Sequence, residues 1–147
     1  MMPEARSVLA KYQPWKSVAS AARVLSQIAQ AQRHFLEALR LGMQHEHFLP
    51  LIHALLGIAL LFVDQGDSER AVELYALASA FGIVANSKWF ADIAGDEIAA
   101  MAEKLPVEVV EAAKERGREL DLWETAEELL AELEEAGWGK PEFNVAK

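Results

Sequence analysis

The chain of 147 residues reads as an all-α protein on three observations. Alanine, leucine and glutamate dominate, and no run of β-branched residues alternates with the period of two that a half-buried strand requires. Glycine and proline punctuate the chain at intervals suited to helices of roughly 12 to 20 residues. At 52% hydrophobic and 25% charged, with five prolines and eight glycines, the composition is that of a folded domain able to build a core. Cysteine is absent, which removes disulfides, thiolate metal sites and cysteine nucleophiles together.

The first predicted helical segment spans 14–41, opening on Pro14 and closing at Gly42. It is long for one helix. A break at Ser26, Gln27 and Ile28 would divide it into a pair, yet no helix breaker stands there, and one continuous helix is the alternative. Residues 49–64 form a second helix that is apolar almost all round and therefore surrounded by neighbours. Gln65, Gly66 and Asp67 stop the chain and restart it, Asp67 or Ser68 capping a helix over 68–81 that Gly82 closes. Asn86 or Ser87 opens the next, which carries Trp89, Phe90, Ile93, Ile98 and Met101 inward and runs to residue 104. Pro106 begins a further helix ended by Gly117. The last helix has the fullest local grammar, with Asp121 and Glu124 as a capping box and Gly137 after the final turn. Its stripe of Leu122, Ala126, Leu129 and Leu133 is backed by glutamates. Trp138 or Phe143 in the tail is positioned to dock back, Trp138 being the tryptophan expected to stay most exposed.

Charge is unevenly divided within the net −9. Residues 1–91 hold eight Lys/Arg against seven Asp/Glu, whereas 92–136 hold four against fifteen. With no basic face to displace counterions from phosphates, nucleic acid is excluded as a partner and a basic protein surface is favoured for the acidic third. The most apolar run, 49–63, is fifteen residues and contains Pro50 and His53, short of the roughly 20 a membrane span needs. Residues 1–8 lack the basic stretch and long apolar run of a secretory leader, so a soluble cytoplasmic protein is expected.

Around Gly66 and Asp67 the chain shows a repeat-like pattern of Leu55, Ile58, Ala59 and Phe62, then the turn, then Ala71, Tyr75 and Ala78. This spacing resembles the tetratricopeptide repeat, in which large residues of one helix pack around small ones of the next. Ala31, Phe35 and Ala38 repeat it upstream, preceded by Trp15, Val18, Ala19 and Ala22, at an interval of 40 residues where the family uses 34. Downstream, Trp89 keeps the register but Asp92 and Asp96 depart from it. From Ala31 onward, with runs such as Asn86 to Phe90 and Arg118 to Trp123, the chain is similar to the tetratricopeptide-like C-terminal arrays of bacterial STAND-type NTPases and multidomain transcriptional activators. It has no GxxxxGK[ST] nucleotide-binding loop.

The resemblance implies one helical-repeat domain over 1–147, in which antiparallel hairpins stack into a short right-handed solenoid of six or seven helices. Residues 1–13 would lead in, followed by a fair repeat over 14–42, the best over 49–82, a degenerate one over 86–117, a closing helix over 121–137 and a tail over 138–147. It also implies a concave ligand face on the first helix of each pair, here His53, Leu56, Leu60, Val63 and Asp64, with Gln13, Lys16, Ser20, Arg23 and Val24 from the repeat before. The apolar members suit an amphipathic partner helix or internal packing equally. The expected function is a noncatalytic sensor or scaffold that binds a protein or peptide partner. Homo-oligomerisation or autoinhibition through the apolar helix 49–63 is the alternative, with a homodimer as its form.

Candidate chemistry is sparse. His45, His47 and His53 with Glu46 match no metal-ligand spacing, and His34 lies apart. Asp92 and Asp96 share a helix face with nothing to orient them on a substrate, and neither G-x-S-x-G nor G-x-G-x-x-G occurs. No cofactor, metal or catalytic residue is expected.

Overall fold

The computed structural model describes residues 18–138, with side chains described from residue 27 onward. The expectations for 1–13, for Trp15 and for Phe143 therefore fall outside the described residues. Every regular element within 18–138 is helical.

Helix α1 (Val18–His45) runs unbroken through Ser26, Gln27 and Ile28. Of the two readings of this segment, the continuous helix is therefore the one found, and the hairpin that a repeat over 14–42 would need is not formed. None of the three residues penalises a helix enough to stop propagation once it has nucleated, and a real turn needs a backbone that leaves the α region. Gly42 does not cap α1 either. It lies in the last turn, where a Cβ would fall 2.7 Å from Leu51 Cδ2, so its smallness lets the next helix cross closely. The stop is made by Glu46, in the left-handed region at φ 55°, while His47 N donates to Gly42 O at 2.9 Å.

Helix α2 (Phe48–Asp64) tolerates Pro50 because the first-turn N–H groups have no intrahelical partner to lose. Gly66 at φ 90° then ends it, with Asp67 N donating to Phe62 O at 2.8 Å and Gly66 N to Val63 O at 3.1 Å. Asp67 occupies the N-cap position of α3 (Ser68–Ser79) but makes no side-chain capping bond. The two helices form the expected hairpin, with Ala59, Ala71 and Ala78 fully buried. Gly57 leaves room for the Phe35 ring of α1, which lies where a Cβ would otherwise sit.

Gly82 does not close α3. It opens a single short turn, α4 (Gly82–Ala85), after which Ser87 accepts from Phe90 N at 3.2 Å and starts α5 (Lys88–Phe90). The chain continues without interruption through a π-helical stretch (Ala91–Gly95) into α6 (Asp96–Ala102). The wider winding corrects the inward face. In a regular α-helix, Phe90, Ala94 and Ile98 would drift by about 80° over eight residues, and the π stretch cancels that drift. All three are buried, while Trp89 (56% exposed) and Ile93 turn outward, against expectation.

Pro106 stands at the N-cap of α7 (Val107–Arg118), and Asp121 Oδ2 accepts from Glu124 N at 2.9 Å to cap α8 (Leu122–Glu135). Leu122, Ala126, Leu129 and Leu133 are buried as the stripe requires. Trp138, the tryptophan expected to stay most exposed yet also a candidate to dock back, does dock, being only 9% exposed and packed edge-on to Phe62 with centroids 5.7 Å apart. The turn that places it uses Gly137 at φ 86° and the Trp138 N to Leu133 O bond of 3.0 Å.

Counting 88–102 as one rod, the described chain has seven helices, within the expected number. Helix α3 is central and touches α2, α6 and α7, while α8 returns to lie against α1. The last helix thus closes on the first, and one continuous core runs from Leu36 to Trp138.

Candidate functional site

The residues expected to form a concave face are not brought together. Gln13 and Lys16 lie outside the described residues. Ser20, Arg23 and Val24 are on the first half of α1, and their side chains lie outside those described. Leu56 and Val63 are buried in the core and Leu60 is partly buried, because α2 is covered by α1, α3 and the α6 rod. His53 is exposed and lies against the Trp89 and Phe90 rings at 5.8 and 5.3 Å. Asp64 is exposed eleven residues further on, about 16 Å along the helix. The apolar members serve packing, so the open surface lies elsewhere.

It lies on the other side of α3. Helices α6 and α7 both rest on α3 but scarcely touch each other, which leaves a groove of about 1010 Å³ between them. Val72, Tyr75, Ala76 and Ser79 form its floor. Ile98, Ala99 and Ala102 line one wall, and Val107, Val110 and Lys114 the other. Gly95 is needed here, since a Cβ on it would come 2.5 Å from Tyr75 Oη. The small residues of floor and wall permit a close approach of backbone to backbone, and Val107 offers an apolar side chain that is 73% exposed. Charge lies along the α7 wall as pairs, Lys114 standing 3.9 Å from Glu111 and Arg118 bonded to Glu115 at 2.8 Å, and Glu103 lies toward the α6–α7 connection. The signal for this groove was present as Val107, Val110, Glu111, Lys114 and Arg118 on one helical face, but it does not reveal that α6 stands away from α7.

The acidic third of the chain is partly engaged within the molecule. Arg70 donates two hydrogen bonds to Glu132, at 3.0 and 2.8 Å, and stacks its guanidinium over Phe62 at 5.2 Å. Arg40 reaches Glu134 with Nε at 3.2 Å, and Arg116 lies 3.4 Å from Glu73. Lys88 holds Asp92 at 3.2 Å, while the other face-sharing carboxylate, Asp96, has no matching bridge to it. Among the described residues no three histidine, aspartate or glutamate side chains converge as a metal site would need, and no helix is long and apolar enough to cross a membrane.

The hydrogen bonds from Arg70 hold the Glu132 carboxyl below the usual carboxylate range, against the opposing effect of its partial burial. A lowered folded-state pKa means that the pair stabilises the fold above the unfolded glutamate value of about 4.3 and loses that contribution as pH falls through the folded value. Because the Glu132 side chain is half exposed, solvent screening limits the effect to about 1 kcal/mol or less. Glu132→Gln is therefore expected to be slightly less stable than the parent at neutral pH and indistinguishable from it once pH has fallen well below 4.3, as urea unfolding across pH will show.

No protein-family model matches the chain, and no curated protein or solved structure matches it.

Proposed function

We propose that the chain is a noncatalytic protein–protein interaction module, a cytoplasmic sensor or scaffold element of a bacterial signalling protein related to the tetratricopeptide-like arrays. Its groove between α6 and α7 receives an amphipathic helix. The observation that carries this reading is the apolar groove itself, floored by α3 and walled by alanines where a third helix has room to approach. Three to four turns of helix with large apolar residues at i, i+3, i+4 and i+7 suit its length. Glu103 favours a basic residue on that helix over the α6–α7 connection, while the Lys114–Glu111 and Arg118–Glu115 pairs give the α7 wall a polar, charge-balanced rim. The remaining glutamates of α7 steer basic partners toward this side of the molecule.

A displayed library of amphipathic helical peptides tests the reading. Selected binders are expected to share that apolar spacing, and Ala99→Phe, an exposed wall position, is expected to weaken them at least about tenfold without lowering stability. Binding unaffected by the filled groove would place the site elsewhere, and a library yielding no binders to the parent would remove the amphipathic helix as the occupant.

A further inference from the structure

A second surface lies outside the groove. Phe48 and Leu49 from the first turn of α2, Ile83 from α4, and Trp89 and Ile93 from the α5 rod are large apolar side chains left exposed. Ring contacts and chain proximity bring them to one side of the molecule. The Phe48 ring stacks on Phe81 with centroids 5.9 Å apart, and Ile83 is two residues from Phe81 in the chain. His53 stands one turn beyond Leu49 and meets Trp89 at 5.8 Å, and Ile93 is one turn beyond Trp89. The π stretch that turns Phe90, Ala94 and Ile98 inward is what leaves Trp89 and Ile93 on this outer face.

The strip exposes on the order of 500 Å² of apolar surface, at the upper end of what monomers leave open. A stable interface takes about 800 Å² from each partner, so the strip supplies an apolar centre that a polar rim completes. Its charge decides the partner. The charged groups next to it in the chain are Glu46, the Lys88–Asp92 pair, joined at 3.2 Å, and Asp96 and Glu97 just beyond Ile93, whereas twelve of the fifteen carboxylates of 92–136 lie on other elements. Two copies at −9 repel each other least across the charge-balanced part of the chain, residues 1–91, which supplies Phe48, Leu49, Ile83 and Trp89 of the strip. A foreign partner selected by charge would be drawn to the acidic helices instead.

We infer that this strip is the contact surface for a second copy of the chain, paired isologously about a two-fold axis. Trp89 of each copy lies in the apolar centre, where aromatic residues dominate interface energetics. This differs from burying the helix 49–63 as a whole, since beyond its first turns that helix is already enclosed by its own chain.

Sedimentation velocity of the whole chain, from low micromolar to several hundred micromolar, tests it. The parent is expected to pass from monomer to dimer. Trp89→Glu and Ile83→Lys, each verified as folded by circular dichroism, are expected to weaken dimerisation at least about tenfold, since every substitution acts twice in a symmetric pair. Val107→Glu, in the groove, is expected to dimerise as the parent does. A parent that stays monomeric throughout overturns the inference. So does dimerisation undiminished in either folded strip variant, or lost equally in Val107→Glu.

Discussion

Gly117→Ala is expected to destabilise the protein by about 2 to 3 kcal/mol, read as a fall in the urea midpoint without a change in slope. The sign is the informative part. In an exposed helix interior, alanine is better than glycine by about 1 kcal/mol, and Gly117 sits inside α7. Here the added Cβ would collide with the carbonyl oxygen of Glu73 and stand 2.8 Å from Ala76 Cβ, two groups belonging to a neighbouring helix backbone and to a side chain with no rotamer to change. Neither can yield without moving α7 away from α3. Gly82→Ala is the control, because a Cβ there meets only Asn86 Nδ2 at 3.6 Å, and its stability should lie within about 0.5 kcal/mol of the parent. Since α3 and α7 are the floor and one wall of the groove, Gly117→Ala should also weaken any helix selected for that groove, whereas Gly82→Ala should not.

The same glycine shows where reading from the sequence stops. Gly117 and Gly82 look like C-terminal caps because each stands at the end of a helical stretch, but neither has positive φ. One is a point of close helix contact and the other the start of a short turn. Local chemistry was legible where it was self-contained. Gly66 and Gly137 end their helices, Ser87 and Asp121 cap theirs, and the α8 stripe is buried as spaced. What local chemistry does not carry is the partner of each face. Trp89 is exposed against expectation because a π stretch rotates it outward, and of the two placements open to Trp138 a Schellman turn selects the docked one on Phe62. The concave face was lost for the same reason. Leu56 and Val63 are ligand-facing only if α2 has an open side, and α1, one continuous helix, covers it together with α3 and the α6 rod. The groove depends on the divergence of α6 from α7, a consequence of how both seat on α3 that no spacing within either helix encodes.

Leu129→Asp is expected to cost about 4 kcal/mol or more, enough to detach α8 or to unfold a domain of ordinary stability. Leu129 is 1% exposed at the middle of the stripe, so an aspartate there must either remain charged without a partner or take up a proton at neutral pH. The loss does not stay local. Helix α8 is joined to α1 through Arg40 and Glu134 and to the start of α3 through Arg70 and Glu132, and the chain beyond it places Trp138 on Phe62. If α8 lifts, Arg70 loses the Glu132 carboxylate, Phe62 loses the Trp138 indole packed on it, and α1 and α2 become exposed along the edge they share with α8. The closure of the last helix on the first is thus a structural requirement of the core, beyond merely terminating a stack. In an open array, damage to a terminal helix leaves distant repeats folded, and the melt should then show a lower step for α8 alone. In the closed arrangement Leu129→Asp should lower the whole transition, with amide exchange accelerating in α2 as well as in α8. Unchanged protection at Leu55 and Ile58, with loss confined to α8, would show that the closing contact contributes little to the core.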